Sequence, residues 1–146
     1  MKTIFSTLSC LAWGLWFGGL VALFIFVTTL FQWNHDMAVQ TAPRLFAVFE
    51  PYQVIVAAVT LLSTIAWRWT ARRGLISVIF LLALATAGAI LSPVFLSPRM
   101  HELIAAGQLG SPQWWRLHGE SMIVYCFDTV CLLLVGLLLP ISLRRN

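Results

Sequence analysis

Residues 114–122, WWRLHGESM, place Arg116, His118, Glu120 and Met122 at the start of a long apolar run. Imidazole and thioether are ligands for soft metal ions, copper(I) above all, and a positioned histidine or carboxylate can also move protons. Further along, His118, Ser121, Tyr125 and Asp128 follow one another at intervals of three, four and three residues. That spacing sets them on one face of a helix, with Met122 four residues after His118 on a neighbouring stripe. A polar stripe on a membrane helix faces the bundle or a wet cavity rather than lipid. It serves either helix packing through hydrogen bonds or a binding site or proton path. Asp128 lies roughly 10 Å into the apolar run. An ionised carboxylate at that depth costs several kcal/mol unless it is neutral or meets a cation or polar partner. No Lys or Arg is predicted there; Thr28, Thr29, Thr86 and Ser92 are the candidate partners.

The rest of the polar chemistry gathers toward the same side. All five acids (Asp36, Glu50, Glu102, Glu120, Asp128), all three histidines and every methionine except Met1 fall in the outer connections, at the head of the second apolar run or in the last run. His35, Met100, His101, His118 and Met122 form a candidate metal set, with copper as the ion it suits. Haem fits less well, because no two histidines lie at opposed depths. Glu102 and Glu120 are a candidate acid pair, set against Arg99 and Arg116 as ion-pair partners. No P-loop, GxSxG or HExxH is present, and the chain reads as a non-enzyme. The candidate outer vestibule comprises His118, Ser121, Arg99, Glu50, Glu120 and Asp128.

These residues are positioned by elements that the composition makes plain. The chain has 146 residues, 60% hydrophobic and 10% charged, with a mean hydropathy of +0.91. A soluble domain carries about 25% charged residues, so this is one integral membrane domain, residues 1–146, in contact with lipid. Apolar runs at about 4–32, 52–67, 74–97 and 121–143 approach or exceed the roughly 17–25 residues that cross a bilayer as helix. The stretch TLSC at 7–10 resembles a lipoprotein cleavage box, but the apolar stretch before Cys10 is short and no small-x-small exit follows the first run, which reads as a retained span. Three cysteines without a CxxC argue against a disulfide framework and read as small buried apolar residues.

The net charge of +4 is not a nucleic-acid signal. Lys2, Arg68, Arg72, Arg73, Arg144 and Arg145 lie at the termini and the second connection, against Arg44, Arg99 and Arg116 on the other side. The positive-inside rule then puts both termini in the cytoplasm, in a plasma membrane of bacterial inner-membrane type. Trp67 and Trp69 form an inner aromatic belt, and Trp33, Trp114 and Trp115 an outer one. Residues 34–50, punctuated by Pro43 and Pro51, read as a short interfacial element. Ser92-Pro93 and Ser97-Pro98 read as N-caps, with a short helix at 98–106 stopped by Gly107, and Ser111-Pro112 starts the last helix. The fold class expected is an all-α bundle of four transmembrane helices with short outer elements at 34–50 and 98–111. Gly14, Gly18 and Gly119 are the candidate helix-packing glycines.

Four short motifs resemble a known family. Trp13-Gly14, Phe49-x-Pro51-Tyr52, Pro98-Arg99 and Leu117-His118-Gly119-x-Ser121 occur in that order across nearly the whole chain. The set resembles the small membrane proteins typified by transmembrane protein 205, a domain family of unknown function. The eukaryotic relatives carry a longer connection before the last span, and an amide residue is expected where this chain has Tyr125. The resemblance implies a four-helix membrane protein with His118, Gly119 and Ser121 at a preserved corner, and a link of animal members to platinum-drug resistance. The leading expectation for function is a small binding or transport-related protein, for a soft metal ion or a proton-linked solute. A structural subunit docking a homo-oligomer or membrane partner through Gly14 and Gly18 is the alternative, and a membrane enzyme acting on lipid is the third reading.

Overall fold

A computed structural model of the chain describes residues 2–71 and 74–144, excluding the side chains of Lys2, Ala71, Ser142, Leu143 and Arg144. The described residues form helices and short turns: α1 Lys2–Trp33, α2 His35–Ala71, α3 Ile76–Leu91, a π-helical segment Ser92–Leu96, α4 Ser97–Ala105 and α5 Pro112–Arg144. Four helical rods are long and apolar enough to cross a membrane: Thr3–Trp33, His35–Thr70, Ile76–Ala105 and Pro112–Ile141. Helix α1 packs along α2, α2 along α3, α3 along α5 and α5 back onto α1. The four therefore close a ring with both termini at one end and α4 at the other. Arg72, Arg73 and Arg145, which the expected orientation uses, lie outside the described residues.

The connections are short because single residues end each rod. Asn34 donates its backbone N–H to Leu30 at 2.9 Å and caps α2 by accepting the Met37 N–H on Oδ1 at 3.0 Å. At the end of α4, Gly107 (φ 72°) closes a Schellman motif, with Gly107 N–H to the Ile104 carbonyl and Gln108 N–H to that of Leu103. The Ser111 hydroxyl then accepts the Trp114 N–H at 3.2 Å and caps α5.

Two proline readings are corrected. Residues 34–50 are not a separate interfacial element: α2 is a single helix from His35 to Ala71 with Pro43 and Pro51 inside it. Each proline removes one backbone bond, and a packed membrane helix tolerates that loss. Likewise Ser92 and Ser97 do not cap helices. Pro93 cannot supply its backbone N–H, and the chain widens to a π turn in which Ser97 N–H reaches the Ser92 carbonyl. One rod then runs from Ile76 to Ala105.

Inside the ring Trp16, Leu20, Leu82, Leu132 and Val135 are fully buried. Lipid-type surface is formed by Leu11, Ile25, Leu62, Phe80, Ile123 and Leu137, all exposed. Several polar groups are matched across neighbouring helices. Trp13 Nε1 donates to the Leu132 carbonyl at 2.8 Å, the Tyr52 hydroxyl to that of Leu15 at 3.0 Å, and Ser9 and Thr64 share a 2.5 Å bond. Trp67, expected in an inner belt, is 2% exposed and part of the core, whereas Trp69 is exposed. All three cysteines are free, but only Cys131 is buried; Cys126 is exposed and Cys10 half-buried.

The glycines that matter for packing differ from those expected. Around Gly14, Gly18 and Gly119 a methyl group would meet nothing within 4 Å, so they make no close helix contact within the chain. The tight positions are Gly19, against the Phe49 and Tyr52 rings at 3.2 Å, Gly136, under the Trp13 indole, and Gly88, under the Asp128 carboxyl. Gly136→Ala is therefore expected to destabilise the bundle by about 1–3 kcal/mol through overpacking, whereas Gly14→Ala and Gly18→Ala stay neutral or gain up to about 1 kcal/mol from helix propensity. Unfolding of the three variants in detergent, followed by circular dichroism, separates the two classes.

Candidate functional site

The centre of the bundle holds two acids that no salt bridge neutralises. Glu50 and Gln53 are three residues apart on α2, so both side chains leave the same face. Tyr125 and Asp128 repeat that spacing on α5. All four are buried, Asp128 at 0% exposure. Gln53 Nε2 donates to Asp128 Oδ2 at 3.1 Å, a bond that crosses the ring from α2 to α5. The carboxyl fits only because Gly88 on α3 carries no side chain. Among the described residues, Asp128 Oδ1 and the Tyr125 hydroxyl have no hydrogen-bond partner, although the hydroxyl lies close to Ser92 and Glu50.

Glu50 is held by the π turn. Its Oε1 accepts the Ser92 hydroxyl at 3.1 Å and also the Ser97 hydroxyl. In a regular helix, residues five apart point some 140° away from each other. The extra residue of the π turn lets both hydroxyls face one carboxylate oxygen. Among the described residues the ion pairs are His35 with Asp36 and Arg116 with Glu120. Neither Glu50 nor Asp128 is in one.

Glu50 and Ser97 also border a cavity of about 360 Å³ at the α4 end, between α1, α2, α4 and α5. Its walls are mainly apolar, Phe24, Phe31, Phe46 and Ile104 among them, with His118, Ser121, Met122, Met100 and His101 contributing polar or soft atoms. The opening motif now has a structural account. Trp114 stacks on the His118 ring (5.0 Å between centroids, 7° between planes), and Trp115 meets it edge-on at 5.9 Å. The two indoles hold the imidazole at the cavity wall. Arg116 and Glu120 point elsewhere, pairing with each other at 2.9 Å.

The expected vestibule is thus divided into three places. His118, Ser121 and Glu50 share the apolar cavity. Arg99 and Glu120 line a second, charged cleft of about 360 Å³ with Glu102 and Arg116. Asp128 lines neither and sits in the bundle's centre. Of the candidate metal ligands, Met100, His101, His118 and Met122 border the one cavity, whereas His35 is exposed beside Asp36 and Phe31. Among the described residues no three His, Cys, Asp or Glu side chains are grouped to hold a metal.

The partners expected for Asp128 are also corrected. Thr86 bonds the Leu82 carbonyl, Ser92 serves Glu50, and Thr28 borders the cavity. The donor is Gln53, whose signal was an amide three residues after Glu50 in an otherwise apolar run.

Gln53→Leu is expected to cost about 1–3 kcal/mol, because it leaves a buried carboxyl without its donor. Removing both partners with Gln53→Leu and Asp128→Leu together is expected to cost less than the sum of the single changes. A double-mutant cycle in detergent measures this, and strict additivity would show that the bond contributes nothing. No protein-family model, curated protein or solved structure matches the chain, so the chemistry of the site rests on its own geometry.

Proposed function

We propose that this protein is a small membrane binding protein, transport-related, whose α4-end cavity takes an amphipathic solute with an apolar body and a cationic or hydrogen-bond-donating head. The observation that carries the reading is Glu50: a buried acid, held by two hydroxyls and in no ion pair among the described residues, at the border of a cavity walled by aromatic and aliphatic side chains. A largely apolar pocket with a few convergent polar groups is the usual form of a small-molecule site. An unpaired carboxylate in such surroundings favours a positive charge or a donor and opposes an anion. His118, fixed between Trp114 and Trp115, supplies a second polar contact.

The four-motif resemblance to the transmembrane protein 205 type supports relationship to that family, and the count of basic residues supports a cavity that faces the outside of a bacterial inner membrane. The thioethers of Met100 and Met122 suit a soft ion as well, but the isolated carboxylate and the size of the cavity favour an organic cation. The second reading, a structural subunit, draws on Gly14 and Gly18. Both are exposed with open space above them, as a helix-docking face on α1 requires.

The test is a matched series, 4-phenylbutylammonium, 4-phenylbutanol and 4-phenylbutyrate, titrated calorimetrically into the protein in nanodiscs. Affinity is expected to fall in that order, and Glu50→Gln to weaken the ammonium by about tenfold or more while leaving the alcohol nearly unchanged. Equal binding of all three compounds, or none above empty nanodiscs, overturns the reading. Copper(I) in place of the ammonium would move the site to the metal class. Loss of a co-purifying partner in Gly18→Leu, with Glu50→Gln silent, would favour the structural subunit.

A further inference from the structure

The buried polar groups continue beyond the cavity, and their continuation has a chemistry of its own. Asp128 is completely buried, accepts a single hydrogen bond on Oδ2, and leaves Oδ1 without a partner. Three residues earlier on the same helix face, the Tyr125 hydroxyl is buried and unpartnered too, and it lies close to Ser92 and Glu50. Four buried polar atoms lack a partner among the described residues, and beside the indole nitrogens of Trp16 and Trp114 these two stand on one face of one helix, one of them on an acid; such atoms call for a functional or chemical explanation. The surroundings are shaped for them. Gly88 makes room for the carboxyl, and the π turn, a feature that recurs at functional sites, brings Ser92 and Ser97 to Glu50.

We propose that Asp128 holds a proton in the centre of the bundle and exchanges it with the α4-end cavity through the Tyr125 hydroxyl and Glu50. In the inward step the O–H bond on the Glu50 carboxyl breaks and its proton passes to the Tyr125 oxygen. The Tyr125 hydroxyl and Asp128 Oδ1 are not hydrogen-bonded to each other, so the original tyrosine proton passes to a water molecule between them, which gives one of its own protons to Asp128 Oδ1. Tyrosine is neutral before and after, one proton has moved, and the outward step is the reverse. A neutral carboxyl at Asp128 needs no cation, and none of the described groups supplies one. The titratable groups around it are Tyr125 and Cys131 on its own helix and Glu50 on α2. Helix α3 presents Gly88 and the π turn the Ser92 hydroxyl, while α1 contains no acid and its only formal charge is at Lys2. The inference goes beyond the occupant of the cavity: the relay runs when Glu50 is protonated and free of a cation, and its test needs no ligand.

Infrared difference spectroscopy on the full chain in nanodiscs, with and without deuterated buffer, tests it without any ligand. The chain has only two aspartates, Asp36 and Asp128, so carbon-13 labelling of aspartate restricts the carboxyl signals to an exposed and a buried residue. A protonated carboxyl band that carries the label is expected at neutral pH, present in Asp36→Asn and absent in Asp128→Asn. Its deuterium exchange is expected to slow by more than an order of magnitude in Tyr125→Phe, which keeps the ring and removes only the hydroxyl. Thr86→Val, which deletes a hydroxyl bonded to the Leu82 carbonyl, is expected to leave the rate unchanged. If Asp128→Asn fails to fold, the labelled band in Asp36→Asn alone decides the protonation. An ionised Asp128, or a Tyr125→Phe rate equal to that of the unmutated chain, overturns the proposal.

Discussion

The interior of this bundle is organised around two carboxyl groups set among apolar helices, with no ion-pair partner among the described residues. Glu50 and Asp128 are both buried, and the described ion pairs involve neither. A buried charge without a partner is among the most unfavourable groups a protein can contain. The surrounding residues answer that constraint one by one: Gln53 donates to Asp128, Ser92 and Ser97 donate to Glu50, and Gly88 yields the volume. The π turn after α3 belongs to the same answer. Without its extra residue, Ser92 and Ser97 would stand on different faces, and Glu50 would keep one donor at most.

The same constraint separates this region from the rest of the interior. Toward the terminal end the buried hydroxyls of Thr60 and Thr64 bond carbonyls of their own helix, and the Trp13 indole bonds a carbonyl of its neighbour. Those groups are neutral, each bonds a backbone carbonyl on its own helix or on one neighbour, and they serve packing. Near Glu50 and Asp128, by contrast, the donors come from α2, the π turn and α4 and meet acids on α2 and α5. Polar groups that must converge from several helices lock the relative depth of those helices, because a shift of one turn, about 5.4 Å, would break every bond at once.

Helix number and polarity pattern were legible from the residues. Long uncharged runs admit little but membrane helices, and the spacing of His118, Ser121, Tyr125 and Asp128 correctly set them toward the interior. The connections were less legible. Pro43, Pro51 and Pro93 read as boundaries because in water a missing backbone bond commonly ends a helix; in a packed apolar bundle the helix continues, since an unwound backbone would expose still more unmatched groups. Gln53 and Gly88 escaped notice for a different reason. Gln53 stands out as an amide in an apolar run and Gly88 does not, but each acquires its role only from Asp128, which is distant in sequence. The vestibule was read too broadly because residues that share one end of a bundle still fall on different sides of α5.

The opening motif shows how one helix can serve two of these environments. Around a helix, residues four apart share a face, while neighbours in sequence diverge by about 100°. Trp114 and His118 therefore stack on the cavity side, and Arg116 and Glu120, with the same spacing but two residues later, pair on another side at the charged cleft. The second pair, although more strongly charged, is largely solvent-exposed and contributes little, as exposed pairs do. The first is neutral and aromatic, yet it fixes an imidazole at the wall of a cavity that ends on an unpaired acid. Selectivity in such a cavity comes from what is missing: with no cation near Glu50, an anionic head would be repelled by the acid and find no charge to replace its water, whereas an ammonium would gain a partner that the protein itself withholds.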